Sequence, residues 1–155
     1  MRIWVLRHGA ALRVAPDGTD RERALSAAGK EHLRQVLEKA RAAGVRPARI
    51  LSSPYRRALE TAEMAAQILG SETAIEQTSA LQPEAQPAPI WDEVRFVRDS
   101  PEVLLVGHLP LLEHLAAFLL GHSGRQIEIG AGTMLAIHVP EPVAQPAGEL
   151  EWMIQ

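Results

Sequence analysis

Three short stretches of the chain place arginine or histidine side chains beside apolar runs. They are Leu6-Arg7-His8-Gly9, the pair Arg56-Arg57 shortly after Ser53-Pro54, and Gly107-His108. Guanidinium groups bind the oxygens of a phosphoryl group through charge-assisted hydrogen bonds, and an unprotonated imidazole is a recognised covalent nucleophile. The residue types therefore predict phosphoryl chemistry, provided that the fold brings the three stretches together.

Apolar runs and helical spacing predict the elements that would bring them together. Residues 3–6 and 102–108 have the continuous apolar character of buried parallel strands, and residues 50–52 and 73–77 predict two shorter strands. Apolar side chains at three- and four-residue spacing predict helices at about 27–43, from 53 to about 69, at 90–98 and from 109 to about 121. Closing strands are expected at 127–129, 133–139 and 150–154, with 140–148 as the loop of a terminal hairpin.

Two helix starts are marked by proline. Ser53 is a candidate N-cap, with Pro54 at the first helical position of the second helix. Pro89 is expected to start the third helix, after a proline-rich connector at 81–89 that has the composition of a loop or a lid. The side chains of the second helix predicted to face the core are Leu59, Ala62, Ala66 and Leu69.

Strands that alternate with helices predict an α/β fold. We expect a single domain over residues 1–155, built as a three-layer sandwich with a mostly parallel central sheet, helices on both faces and a terminal antiparallel hairpin. Right-handed crossovers would put every strand-to-helix junction at the carboxyl edge of the sheet, where α/β proteins bind ligands. Arg7, His8 and His108 would then meet at one edge, together with an arginine of the 56–57 pair.

Either arginine of that pair is a candidate. Both fall in the first turn of a predicted helix, where a cation opposes the helix macrodipole. An anion shared between a guanidinium and the free backbone amides would account for the cation, and so would a solvated surface position. The spacing alone does not choose between Arg56 and Arg57.

Composition excludes several classes of function. The chain has a formal charge of −3 and a pI near 6.1, which disfavours nucleic acid as a partner because no net positive field is available. It has no cysteine, so a phosphatase with a cysteine nucleophile is excluded. We expect a cytoplasmic protein that does not bind membranes, because the sequence has no disulfides, no signal-peptide core and no long apolar span. The sequence gives no indication of the oligomeric state.

Other phosphate-binding and metal-binding motifs are missing from the sequence. Neither the G-x-x-x-x-G-K-[ST] loop nor the G-x-G-x-x-G fingerprint occurs, and the six histidines show no spacing typical of metal ligands. We therefore expect neither a metal nor a cofactor.

Taken together, the three stretches resemble the histidine phosphatase superfamily, which includes the phosphoglycerate mutases. The resemblance rests on Leu6-Arg7-His8-Gly9, on the run Ser-Ser-Pro-Tyr-Arg-Arg-Ala-Leu-Glu-Thr-Ala at 52–62, and on Val106-Gly107-His108. The small size, the segments 20–29 and 103–112 and the terminal hairpin are similar to the SixA-type phosphohistidine phosphatases. The resemblance implies that His8 is the nucleophile, that Arg57 rather than Arg56 joins Arg7 and His108 around the phosphate, and that Arg56 lies on the surface.

Two departures from the superfamily pattern bear on the substrate. Ala10 and Val14 stand where many members carry an acidic residue and an asparagine, which disfavours a sugar-phosphate or glycerate-type substrate. Members that act on phosphate esters use a carboxylic acid as general acid, and Glu84 in the proline-rich connector is the candidate here. SixA-type proteins do not need a strong acid, because a P–N bond to imidazole breaks more readily than a P–O ester bond.

Three functions follow as alternatives. The first is a phosphatase that hydrolyses phosphohistidine on a protein through a phospho-His8 intermediate, with His108 either neutral or protonated. The second is a small-molecule phosphomonoesterase with the same chemistry, and the third is a non-catalytic module that binds a phosphorylated ligand. Because attack requires an unprotonated imidazole, activity is expected to fall below the pKa of His8.

Overall fold

Among the residues that the computed structural model describes, the central sheet contains six strands, and four helices and one 3₁₀ helix connect them. The structure describes residues 1–97, 101–121 and 126–155. The strands, numbered in chain order, are β1 (Arg2–Arg7), β2 (Arg49–Ser52), β3 (Ile75–Gln77), β4 (Glu102–Gly107), β5 (Met134–His138) and β6 (Glu149–Ile154). The helices are α1 (Ala27–Ala42), α2 (Arg56–Leu69), α3 (Pro87–Arg95) and α4 (Leu111–Leu119), with the 3₁₀ helix at Ser79–Leu81.

The strands lie in the order β3-β2-β4-β1-β5-β6. The first four of these pair in parallel, whereas β5 is antiparallel to both β1 and β6. Arg7 at the end of β1 is opposite Gly107 at the end of β4, and Ser52 at the end of β2 is opposite Val106. This register brings the residues that follow β1, β2 and β4 together at the carboxyl edge of the sheet.

Side chains alternate between the two faces of β1 and β4, and both faces are buried. Trp4, Leu6 and Leu104 pack under α1 and α2 on one face. Ile3 and Val103 pack under α3 and α4 on the other face. Burying such a side chain fully contributes about 1.5–3 kcal/mol, so the two layers of helices fix the central strands firmly. The predicted three-layer α/β fold is confirmed, and no helix within the described ranges is long and apolar enough to cross a membrane.

The start of α2 was predicted two residues too early. Ser53 does not cap the helix, because its hydroxyl lies 2.7 Å from the ring of His108 and accepts a hydrogen bond from the Tyr55 amide at 3.3 Å. Tyr55 is the N-cap and offers no side-chain hydrogen bond, so α2 begins at Arg56. The helix is also rotated relative to the predicted core face, with Leu59 and Ala66 half-buried and Arg57, Ala58, Thr61, Ala62, Ala65 and Leu69 buried.

Two further predictions were wrong in detail. Helix α3 begins at Pro87 instead of after Pro89, because proline is tolerated in a first turn whose amides have no intrahelical partner. The helix ends at Arg95, and Arg98, its predicted end, lies outside the described residues. Residues 127–129 form no strand, since the peptide groups of Ile129 bond to the side chains of Arg7 and Glu113.

Candidate active site

His8 follows β1 directly, and its orientation is set by the next residue. Its Nδ1 lies 2.7 Å from the Gly9 carbonyl oxygen, which accepts a hydrogen bond, so Nδ1 carries the proton. The lone pair is therefore on Nε2, which accepts a hydrogen bond from Arg57 Nε at 3.3 Å. His8 thus presents a nucleophilic nitrogen to a guanidinium.

Gly9 has no room for a side chain. A Cβ there would lie 2.5 Å from Cδ1 of Leu33 in α1. Its amide donates to Thr61 Oγ1 at 3.2 Å, and that hydroxyl donates to the Arg57 carbonyl oxygen at 2.7 Å. Thr61 therefore ties the turn after β1 to the first turn of α2 and holds His8 and Arg57 in register.

Arg57 is the arginine of the 56–57 pair that faces the site. It is 6% exposed, and its two terminal nitrogens donate to the backbone oxygen of Asp20 at 2.8 Å and to its carboxylate at 3.2 Å. Arg56 is exposed and lies 3.8 Å from Glu60. The buried arginine thus has a carboxylate partner on the loop at 10–25, which forms one wall of the site.

His108 follows β4 and packs against His8. The two ring centroids are 5.0 Å apart, and the Tyr55 ring meets His108 edge-on at the same distance. Its Nε2 is hydrogen-bonded to Ser53 Oγ at 2.7 Å. Its Nδ1 is buried and has no hydrogen-bond partner within the described part of the chain. An unpaired buried polar atom is costly and is found at functional sites more than elsewhere.

Arg7 ends β1, and its side chain contacts the segment that precedes β5. Its Nη1 donates to the Ile129 carbonyl oxygen at 2.9 Å, and the amide of Ile129 donates to the Glu113 carboxylate at 3.3 Å. Its Nε is buried without a partner among the described residues. Burial lowers the pKa of Arg7 while Glu113 opposes that shift, and the guanidinium stays charged because an arginine does not lose its proton in a protein.

Both imidazoles of the site are neutral at physiological pH. Burial lowers the pKa of His8 to about 4, and the charges of Arg57, Arg7 and Arg23 act in the same direction. Burial lowers the pKa of His108 to about 3, and the neighbouring His8 and Arg57 reinforce this while Asp20 opposes it. Of the two forms of His108 considered from the sequence, the structure therefore favours the neutral one.

The sequence profile of the histidine phosphatase superfamily (branch 1) matches residues 3–83, about half of the chain. This chain belongs to the histidine phosphatase superfamily. An uncharacterized protein of Picosynechococcus sp. is 30% identical to this superfamily member over 131 residues, which are 83% of this chain and 79% of that protein.

Solved structures share the fold of this histidine phosphatase superfamily member. The protein histidine phosphatase SixA, in complex with tungstate, matches with a TM-score of 0.89 at 23% identity, covering 100% of this chain and 97% of SixA. A SixA from Agrobacterium tumefaciens matches with a TM-score of 0.82 at 21% identity, covering 99% and 97%. A mycobacterial glucosyl-3-phosphoglycerate phosphatase matches with a TM-score of 0.75 at 18% identity, covering 97% of each chain.

The four basic residues predicted from the sequence of this histidine phosphatase superfamily member come together, and the fifth candidate, Glu84, lies in the connector before α3. Glu84 is exposed between the 3₁₀ helix and α3, and it has no hydrogen bond or ion pair to any of the four among the described contacts. Sequence reasoning missed four residues that hold the basic groups in place. They are Asp20, Ser53, Thr61 and Glu113. The signal that could have found Glu113 is an acidic side chain within an otherwise apolar helical segment.

Proposed function

We propose that this protein is a phosphatase that removes phosphate from phosphohistidine on a protein substrate, with His8 as the covalent nucleophile. The observation that carries the proposal is the neutral His8 Nε2, 3.3 Å from a buried guanidinium and beside a second buried imidazole. A neutral nitrogen surrounded by cations is suited to attack a phosphorus atom whose oxygens those cations bind.

In the first step, the lone pair of His8 Nε2 attacks phosphorus in line with the bond to the substrate. The P–N bond of the phosphohistidine breaks, its electron pair stays on the substrate imidazole, and that nitrogen takes a proton from solvent. The Gly9 carbonyl oxygen, 2.7 Å from His8 Nδ1, stabilises the positive charge that develops on the His8 ring. Water then attacks phosphorus, and the bond to Nε2 breaks with its electron pair returning to Nε2. The protons of the water stay on the phosphate oxygens or pass to solvent, and inorganic phosphate leaves.

The other three basic residues would stabilise charge on the transferring phosphoryl group. Arg57 offers nitrogens that now bond to Asp20 and His8, and a phosphate oxygen can replace those partners. Arg7 contributes a fixed charge, and neutral His108 contributes a hydrogen-bond donor. Donors that are aimed beforehand at developing charge supply the largest share of many enzymatic rate enhancements.

The leaving group favours a phosphohistidine over an ester. Alkoxide leaving groups need a proton donor. The candidate carboxylic acid named from the sequence, Glu84, is exposed and forms no hydrogen bond or ion pair with the four basic residues within the described part of the chain. An imidazole leaves more readily because it can pick up a proton from solvent. The role of Glu84 as a general acid stays a prediction, as does the cytoplasmic location.

The proposal is tested with a substrate panel. We expect turnover of a histidine-phosphorylated protein to exceed that of phosphoaspartate and of phosphate esters, and rapid mixing with labelled substrate to place acid-labile label on His8. Comparable or faster turnover of esters would indicate the small-molecule phosphomonoesterase. Binding without label or turnover would indicate a non-catalytic phospho-ligand module.

The phosphomonoesterase is kept as the second candidate because of one specific similarity. The mycobacterial glucosyl-3-phosphoglycerate phosphatase has the same fold over 97% of its length. The fold is therefore compatible with small phosphorylated molecules, and the substrate class is decided by the residues around the phosphate pocket.

The pH dependence of phosphorylation follows from the neutral nucleophile. Because the pKa of His8 is lowered to about 4, the ring is already deprotonated above pH 5, and activity is lost only as the pH falls through about 4. We expect the rate of His8 phosphorylation in single-turnover mixing to be nearly constant between pH 5 and 7. Nitrogen-detected NMR titration of the rings should show His8 in the Nδ1–H form over this range, and a protonation midpoint near pH 6.5 would contradict the assignment.

Glu113 is expected to support catalysis by positioning Arg7. Its carboxylate accepts from the Ile129 amide, and the Ile129 carbonyl oxygen accepts from the Arg7 guanidinium. Glu113→Ala should therefore release Arg7 and lower kcat/KM by about tenfold, or ~1.4 kcal/mol. Glu113→Gln keeps an acceptor oxygen and should recover most of the loss. His114→Ala, at the next and exposed position of α4, is the control and should leave kcat/KM unchanged. Equal losses in all three variants would show a general effect on α4.

A further inference from the structure

One wall of the site carries exposed apolar and cationic side chains together. On the loop at 10–25, Leu12 is 49% exposed and Val14 is 72% exposed, and the exposed Arg13 lies between them. A single exposed apolar residue is ordinary, but two of them flanking a cation at the edge of a functional site have the character of a contact surface. We call Leu12, Arg13, Val14 and Arg21 the lip.

A hollow lies beside the lip, and one of its wall residues, Asp20, contacts Arg57 of the phosphate pocket. It has a volume of about 240 Å³, and its walls include Arg13, Val14, Asp20 and Arg23. Arg23 donates to the Leu12 carbonyl oxygen at 2.7 Å and to the Asp20 carboxylate at 2.7 Å. Asp20 also accepts from Arg57 at 3.2 Å, so the wall of this hollow is in direct contact with a residue that would bind the phosphate.

The other end of the lip borders the second imidazole. The Arg21 guanidinium lies 5.7 Å from the centre of the Tyr55 ring, and that ring packs against His108. The Arg21 carbonyl oxygen accepts from the Arg56 amide at 3.0 Å, which fixes this part of the loop to the start of α2. Arg21 therefore brings the lip to the His108 side of the pocket.

The charge of the lip is opposite to that of the chain as a whole. The protein carries a formal charge of −3, yet Arg13 and Arg21 are exposed and neither forms an ion pair with a residue in the described ranges. Unpaired cations beside apolar side chains attract an acidic partner and speed its encounter. The lip is therefore suited to a partner that carries acidic side chains next to its phosphorylated residue.

We propose that the lip is the docking surface for the protein substrate. The segment that flanks the phosphorylated residue places an apolar side chain against Leu12 and Val14 and carboxylates against Arg13 and Arg21. This proposal rests on the proposed function, because it needs a phosphorylated protein as the substrate. It adds to that function a chemical class of partner: a protein with acidic and apolar side chains around its phosphohistidine.

The test compares two double variants that change the net charge equally. Arg13→Glu with Val14→Asp alters the lip. Arg46→Glu with Val143→Asp is the control, because both residues are exposed and lie in loops at the opposite, amino edge of the parallel strands. Each protein is assayed with a histidine-phosphorylated protein and with free phosphohistidine, at low and high salt.

We expect the lip variant to raise KM for the phosphoprotein at least about tenfold, with kcat unchanged and with free phosphohistidine turned over as by the wild type. Salt should weaken wild-type kcat/KM for the phosphoprotein and have less effect on the lip variant. Unchanged KM, or equal losses with both substrates or in both double variants, would overturn the docking surface while leaving the proposed function intact. A wild type that turns over free phosphohistidine and not the phosphoprotein would overturn both.

Discussion

Replacing His8 by alanine is expected to abolish phosphatase turnover, lowering kcat by at least about a thousandfold. The reason is that the variant loses the nitrogen that forms the covalent bond to phosphorus, whereas the remaining basic groups provide only binding and charge stabilisation. The acid-labile label should also be absent from the variant protein, because no phosphohistidine intermediate forms. Both quantities are measured by single-turnover mixing with labelled phosphohistidine protein.

A histidine that contacts none of the four basic residues provides the matched control. His114 in α4 is exposed, so His114→Ala should keep wild-type turnover and label. Thermal unfolding of His8→Ala should remain cooperative, because the surrounding apolar layers are untouched. Turnover that survives in His8→Ala, with label still on the protein, would assign the nucleophile to another residue.

The second large effect is expected at Arg57. Arg57→Ala should lower kcat/KM by about a hundredfold to a thousandfold, since the site loses a guanidinium that is 6% exposed and reaches the nucleophile. Arg57→Lys keeps a charge but has no planar fork for two phosphate oxygens, so it should recover only part of the activity. Steady-state kinetics with the phosphoprotein measures both variants.

Arg56 is a control of the same residue type, one position away. Its side chain is exposed and meets only Glu60 at 3.8 Å among the described ion pairs, so Arg56→Ala and Arg56→Lys should stay within about threefold of the wild type. Losses of the same size at both positions would mean that the start of α2, instead of one guanidinium, is what the site requires.

The sequence was sufficient to predict the central strands and the meeting of the four basic residues. Long apolar runs such as 102–107 leave few alternatives to a buried parallel strand, and parallel strands carry their C-terminal residues to one edge. The choice of Arg57 over Arg56 came from the resemblance to a family. In the structure the same choice follows from the rotation of α2, which buries Arg57 and Thr61 together.

The parts that the sequence did not reveal depend on contacts between distant residues. Ser53 has the local pattern of a helix cap, but its hydroxyl bonds to His108, which lies 55 positions later. Ile129 has the pattern of a strand, but its peptide groups are used by Arg7 and Glu113. Asp20 sits in a polar loop where no periodicity distinguishes it from its neighbours. Tertiary contacts override local preference at these positions.

The place of β1 in the middle of the sheet has a consequence for biosynthesis. Arg2 pairs with Glu102 on one side and with His138 on the other, so both strands that flank β1 come from much later positions in the chain. Pairings so remote along the polypeptide raise the contact order and slow folding. The pocket around His8 therefore forms only after β4 and β5 have been synthesised and have paired with β1.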